Sequence, residues 1–231
     1  LSVSQVASAA GIDRSAAQGS VHTLLKLNML ARDPDDRGYL PGLRTLDMTH
    51  DLLRLNPMLQ RANPVMLELR RRVSERVDLS LFDDVRVIYA LRMPPKHEVF
   101  SATIVGNAVP TYCTAGGVAI LSRLSDEIIA DIVSRSDLTP FTQHTVRDLE
   151  GVMEYVRATR ERGHSLLCKQ LLNHEVVIGA PIMDWRGTPV GAIHVAGSLQ
   201  EWTAEGFSDS FGPLIQNAAQ TISEKSSPSG K

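Results

Sequence analysis

Cysteine is nearly missing from this chain of 231 residues, and its two thiols, Cys113 and Cys168, cannot make the disulfide framework of a small secreted domain. Both are expected to be free. Neither sign of charge dominates: 24 Lys and Arg stand against 26 Asp and Glu, for a formal charge of -2. Whole-chain charge therefore neither advertises nucleic acid nor excludes it, and any basic surface must be local. No window approaches the ~18 uninterrupted apolar residues of a bilayer span, and the N-terminus lacks a basic segment followed by an apolar one. A soluble, cytoplasmic protein without a membrane partner is expected. No glycine-rich loop follows a strand, which excludes a Rossmann dinucleotide site. The seven histidines show no paired ligand spacing, so neither a metal nor a cofactor is expected. The chain starts at Leu1, without an initiator methionine and almost inside a helical pattern. This leads us to expect that a first helix is missing from it.

What is present is ordinary globular material, 43% hydrophobic and 22% charged, enough for a buried core in one large domain or two smaller ones. In the head, Val3, Val6, Ala7 and Ala10 fall at helical spacing; Ser2 or Ser4 can cap the start, and Gly11 stops the helix. A second helix starts at Asp13 or Arg14 with Asp13 as its cap, carries the stripe Ala17, Val21, Leu24, Leu25, and ends near Asn28. Met29 to Asp33, the turn Pro34-Asp35-Asp36-Arg37-Gly38 and Tyr39-Leu40 read as a short hairpin. Helix, turn, helix, hairpin is the order of a winged helix-turn-helix.

From Thr45 to about Arg76, Leu46, Leu52, Leu53, Leu59, Met66, Leu69 and Val73 predict helices, which Pro57 and Pro64 should keep from forming one rod. Past Val77 the period becomes two. Val77, Leu79 and Leu81 share one face of a strand, and Val85, Val87, Tyr89 and Leu91 return after Asp83-Asp84. Helices are expected at Ala115 to Arg123, Asp126 to Ser134 and Asp148 to Arg162. Antiparallel strands are expected at His164 to Leu172, Glu175 to Met183 and Pro189 to Ala196, then a helix from Thr203 to Ser223. Strands, then helices, then strands make an α+β domain with an antiparallel sheet. The resulting organisation is a winged helix-turn-helix over 1–44, a linker helix over 45–63, a sheet domain over 64–224 and a disordered tail over 225–231.

If Ala17 and Val21 face the core of the head, Ser15, Gln18, Gly19, His22 and Lys26 lie on the opposite side of the same helix. In a helix-turn-helix this second helix enters the major groove, where Gln suits adenine. Gln18 is the best base-reading candidate; Gly19, which costs ~1 kcal/mol relative to Ala inside a helix, would let the backbone approach DNA closely. Arg14, Arg37 and Arg44 are the phosphate candidates. A polar face that simply meets water explains the same residues, and five basic side chains against four acidic ones in 1–44 is a light charge for a DNA binder.

Leu1-Ser2-Val3-Ser4-Gln5-Val6-Ala7, Gly11-Ile12-Asp13-Arg14-Ser15, Thr23-Leu24 and Arg32-Asp33-Pro34 form one set of blocks. A second set is Val109-Pro110 with Ala115-Gly116-Gly117-Val118-Ala119, Arg162-Gly163-His164-Ser165, and Gly191-Ala192-Ile193-His194-Val195-Ala196-Gly197. In this order they resemble the IclR family of bacterial transcription regulators over nearly the whole chain. Many members have an Arg where this chain has Gly19. The resemblance implies a winged helix-turn-helix, a linker helix and a GAF-like effector domain with an antiparallel sheet flanked by helices. It implies a ligand-responsive repressor that binds double-stranded operator DNA as a homodimer or homotetramer, with Ala16 also in the DNA-binding set.

For the effector, a carboxylate or oxygenated metabolite, the resemblance implies His194, Ala196, Val177 and Leu167, together with Cys113, Thr114, Ala115 and Gly116 at a helix start whose free N–H groups suit an oxyanion. Two glycines there also fit plain helix-to-sheet packing, and His194 also fits a satisfied core position. An enzyme using Cys113 or Cys168 with His174 or His194 is the alternative, although no local catalytic signature surrounds either thiol. A head that docks protein in place of DNA is a third reading.

Overall fold

A computed structural model describes residues 1–35, 37–95 and 105–223. The expected tail over 225–231 and Asp36 of the hairpin turn lie outside these residues. The chain divides into two compact units, Leu1–Pro57 and Met58–Lys231.

In the first unit, α1 (Val3–Ala10) opens on a capping box: Gln5 N–H donates to Ser2 Oγ, and Ser2 N–H donates to Gln5 Oε1. Gly11 closes it in the left-handed region at φ 63°. α2 (Arg14–Lys26) is capped by Asp13, whose carboxylate accepts from Ser15 and Ala16 N–H, each at 2.9 Å. Ala7, Ala17 and Val21 are buried between the two helices, and Ala10 is exposed. β1 (Leu30–Arg32) pairs antiparallel with β2 (Tyr39–Pro41) as the wing, and α3 (Arg44–Leu55) follows.

Next along the chain is α4 (Pro57–Val73), all but its first residue in the second unit. Pro57 occupies its first position, where no backbone donor is required, so the break between α3 and α4 falls at Asn56. Pro64 does not break the rod as expected; it sits inside α4, which continues for more than two turns beyond it. Six apolar residues of α4, from Met58 to Val73, are buried and outweigh the lost hydrogen bond.

The sheet consists of β3 (Arg76–Asp83), β4 (Arg86–Met93), β5 (Ala108–Pro110), β6 (Ser165–Cys168), β7 (Glu175–Met183) and β8 (Pro189–Ser198), in the spatial order β5-β4-β3-β8-β7-β6, each pair antiparallel. β5 was not foreseen, and β6 ends at Cys168, well short of the expected Leu172. Lys169 at φ 59° turns the chain out of the ladder. The helices are α5 (Ala115–Leu121), α6 (Asp126–Arg135), α7 (Leu149–Arg162) and α8 (Ala204–Ile222). α5 lies against β6, β7 and β8 and packs on α7; α8 lies against β7 and β8.

Both faces of the central strands are therefore covered, which the alternation in β3 did not suggest. Val77 and Leu79 are buried, but so are Asp78 and Ser80 on the opposite face. Register assigns the polar set to one side: Asp78 stands opposite Arg92 on β4 and His194 on β8, Ser80 opposite Tyr89 and Ala192, and Val177 opposite Leu167 and Ala196.

Candidate functional site

Two places in the molecule carry chemistry beyond packing, one in each unit. On α2, Ser15, Ala16, Gln18, Gly19, His22 and Lys26 are all exposed, while Ala17 and Val21 point inward. Hydroxyls on this helix turn back to its own backbone: Ser20 Oγ donates to Ala16 O and Thr23 Oγ1 to Gly19 O. A Cβ built on Gly19 would meet nothing within 4 Å, so no packing in the head requires glycine there. Gln18, Gly19, His22 and Leu25 line a shallow hollow with Arg32 and Tyr39 of the wing.

The basic candidates differ in how they are held. Arg37 pairs with Asp35 at 2.6 Å and lies 3.7 Å from Asp33, and Arg44 pairs with Asp47 at 3.0 Å; all of these arginines are exposed. Such exposed pairs contribute only ~0–1 kcal/mol, so phosphate can displace them. Arg14 and Lys26 make no ion pair among the described residues.

In the second unit, Cys113, Thr114, Ala115, Leu167, Val177 and His194 line one cavity of about 20 Å³ between α5 and the sheet. Gly116 does not line it: a Cβ there would run into the His194 ring, and one on Gly117 into the backbone of Thr111. Close approach to neighbouring protein atoms thus accounts for both glycines, in place of an open cradle. Thr114 caps α5 by accepting from Gly117 N–H at 3.1 Å while donating to Pro110 O. Ala196, two residues along β8 from His194, lines an adjacent larger cleft.

The cavity's charged wall was missed at the sequence level. Arg76 Nε donates to Asp78 at 3.0 Å, and Arg76 Nη2 donates to Glu175. Arg92 donates twice more to Asp78, at 3.1 and 3.2 Å, and its guanidinium stacks 4.2 Å from the Tyr89 ring centroid. Burial alone would weaken the charged form of Arg76, but Asp78 and Glu175 more than offset it and hold the guanidinium charged above its ordinary range. Lys169, Gln170 and Leu171 also line it, and Lys169 makes no ion pair among the described residues. Arg76 and Asp78, two apart on a strand, were the available signal; a charged pair on a face expected to meet water gave no reason to place it in the core.

His194 is buried, with Nε2 2.8 Å from Ser80 Oγ. Burial lowers it to about 4, with Arg76 and Arg92 acting in the same direction and Asp78 opposing, so the ring is neutral at pH 7. A neutral imidazole offers one donor and one acceptor. The thiols are poorly suited to nucleophilic work. Burial pushes Cys113 up to about 12. Leu167 faces the cavity, so its strand neighbour Cys168 faces the other side of the sheet. Among the described residues no group of three His, Cys, Asp or Glu could hold a metal, and no helix is long and apolar enough to cross a membrane.

Residues 50–224 match the family described as "Bacterial transcriptional regulator IclR C-terminal". The HTH-type transcriptional regulator KipR of Bacillus subtilis is 27% identical over 97% of this chain and 89% of its own. The p-hydroxybenzoate hydroxylase transcriptional activator of Acinetobacter baylyi is 23% identical over 96% of this chain and 83% of its own. Among solved structures, an IclR homolog complexed with 4-hydroxybenzoate from Microbacterium hydrocarbonoxydans superposes with a TM-score of 0.71 at 20% identity, covering 96% of this chain and 89% of that one. These relatives are regulators, not enzymes. With a helix-turn-helix head, an antiparallel sheet flanked by helices and a family match over most of its length, this chain belongs to the IclR family of bacterial transcriptional regulators.

Proposed function

We propose that the protein is an operator-binding repressor whose second unit takes a small organic acid and thereby changes its hold on DNA. The observation that carries the DNA half is the outward face of α2: polar, exposed, and bearing at Gly19 a glycine that the head itself does not need. In this reading Ser15, Ala16, Gln18, Gly19 and His22 meet the major groove, and Arg14, Lys26, Arg37 and Arg44 meet phosphate. One helix reads only a few base pairs, so two heads about one helical turn apart are required, as a homodimer or homotetramer presents them.

The apolar side of α3 supports self-association. Leu46, Met48, Leu52 and Leu55 are all more than half exposed, spread over the arc of the helix that the polar stripe of Arg44, Asp47, Asp51 and Arg54 leaves free. The effector half rests on the cavity of Cys113, Thr114, Ala115, Leu167, Val177 and His194, with Gly116 behind the imidazole and Ala196 in the next compartment. The 4-hydroxybenzoate bound by the Microbacterium homolog is a small organic acid of the expected kind.

The test is a mobility-shift titration of the full chain on DNA from upstream of the adjacent operon, across a range of salt. Gln18→Ala should weaken that site by ~1–3 kcal/mol and spare random DNA. Lys26→Ala should weaken both and lower the salt slope by about one. Salt-insensitive binding, or operator affinity indifferent to Gln18, would refute the reading. A promoter reporter decides the sign: expression rises when a repressor is deleted and falls when an activator is.

A further inference from the structure

The cavity beside His194 and the cleft next to it share one wall. The cavity, about 20 Å³, has room for about one water; the cleft, about 550 Å³, is in the size range of small-ligand pockets. Arg76 and Glu175 line both spaces, and the ion pair between them forms the partition. The pair is asymmetric. Arg76 also holds Asp78, which Arg92 braces from the far side, so the guanidinium stays anchored if Glu175 leaves. Glu175 is the first residue of β7, and among the described residues its side chain pairs with Arg76 alone. Trp202, His174, Leu172 and Ala196 lie along the cleft, a mixed aromatic, aliphatic and polar surface suited to a small organic body.

We propose that Arg76 is the anion anchor of the effector site, that Glu175 is an internal carboxylate competing for that anchor, and that the ligand is an organic carboxylate whose body lies in the Trp202 cleft. This rests on the reading that the second unit binds a small effector. No organic acid fits the cavity while the partition stands, whereas the cleft is large enough as it is. Asp78 keeps Arg76 Nε while Glu175 occupies Nη2, so the ligand and Glu175 compete for the same N–H donor of the guanidinium. The exchange is nearly balanced in solvation, because one carboxylate enters water as another leaves it. The selectivity that follows is for carboxylates over neutral molecules of the same shape, and Ala196 and His194 become two stations along one ligand path.

The experiment removes the competitor. In the full chain, Glu175→Ala bares the Arg76 edge; the probes are sodium acetate and sodium benzoate at about 10 mM, with ionic strength matched by sodium chloride and benzyl alcohol as the neutral counterpart. Two readouts are taken: the thermal midpoint, and the fluorescence of Trp202 in a Trp185→Phe background, where it is the sole tryptophan. Both carboxylates should raise the midpoint of Glu175→Ala by several degrees and wild type much less. Benzoate, but not benzyl alcohol, should change the Trp202 signal, and adding Arg76→Met should abolish both effects. Glu175→Gln, which keeps the side-chain volume, covers the case in which the alanine variant does not fold; its benzoate affinity should exceed wild type by about tenfold. Carboxylate effects absent from both variants, or surviving Arg76→Met, overturn the anchor; rescue by acetate without benzoate overturns the cleft. Operator binding without probes is measured in parallel. Its absence would sink the regulator reading and leave the anchor standing, whereas a failed rescue beside intact operator binding sinks only the anchor.

Discussion

Asp78→Asn tests whether the buried charge network holds the sheet together. Asp78 is 2% exposed and accepts three hydrogen bonds, one from Arg76 and two from Arg92, at 3.0 to 3.2 Å. Asparagine keeps the shape but replaces one carboxylate oxygen with an amide donor facing guanidinium donors, and it leaves both arginines short of negative charge. Breaking one side of a buried ion pair costs about 3–5 kcal/mol, and with Arg76 and Arg92 only 20% and 13% exposed there is little solvent to relieve it. Each kcal/mol moves the melting temperature of a unit this size by ~2–4 °C, so a drop of roughly 6–20 °C is expected. Asp83→Asn is the internal control. Asp83 lies on the same strand and pairs with Arg86, but both side chains are about half exposed, so its loss should stay below ~1 kcal/mol. Thermal and urea unfolding of both variants, followed by circular dichroism, gives the comparison. Equal losses for the two variants, or a loss under 1 kcal/mol for Asp78→Asn, would refute the claim that burial is what makes this network matter.

Three further outcomes are expected. His194 sits at about 4 in the fold against 6.5 when unfolded, so between these values the unfolded chain binds more protons. Its contribution to stability is complete above pH 6.5 and is lost as pH falls toward 4, by about 3 kcal/mol; His194→Gln should flatten that limb, and an unchanged acid slope would contradict the assignment. His164, lowered by burial in the same direction, is present in both proteins and cancels in the difference. Gly19→Ala should stabilise the head by ~0.4–1 kcal/mol in urea melts while cutting operator affinity at least about tenfold, and unchanged affinity would remove the case for close backbone approach. Leu46→Glu with Leu52→Glu, at positions 66% and 57% exposed, should leave protomer stability nearly unchanged but shift sedimentation toward monomer; an undisturbed oligomer would exclude the apolar side of α3 as its seat.

The head was largely legible because its signals are local. Asp13 caps α2 two and three residues on, Ser2 and Gln5 satisfy each other, and Ala17 with Val21 marks the buried stripe. Those interactions span a few residues and need no knowledge of the rest of the chain. The proposed effector site was legible in part. Leu167, Val177 and His194 share a face through alternation and pairing, so their convergence followed from strand order. The ionic wall did not: Arg76 and Glu175 are 99 residues apart, and a charge on a strand ordinarily signals solvent. Only the second layer, α5 over the face that carries Asp78, turns those positions inward. Pro64 misled because a ring inside a helix is a local cost, whereas the burial of Met66, Leu69 and Val73 beyond it depends on the whole unit.

The centre of the sheet joins β3 to β8, with Asp78 opposite His194 across more than half the length of the chain. A ribosome reading this message releases β3 and β4 long before their neighbour exists. During that interval the hairpin carries an unpaired inner edge, with Val77 and Leu79 still unsheltered. The winged head, whose pairings reach no further than from Leu1 to Tyr39 among the described residues, can be finished while the remainder is still being synthesised. A stop codon upstream of Pro189 would therefore leave a folded reader of DNA tethered to an aggregation-prone remnant, with no sheet able to answer a metabolite.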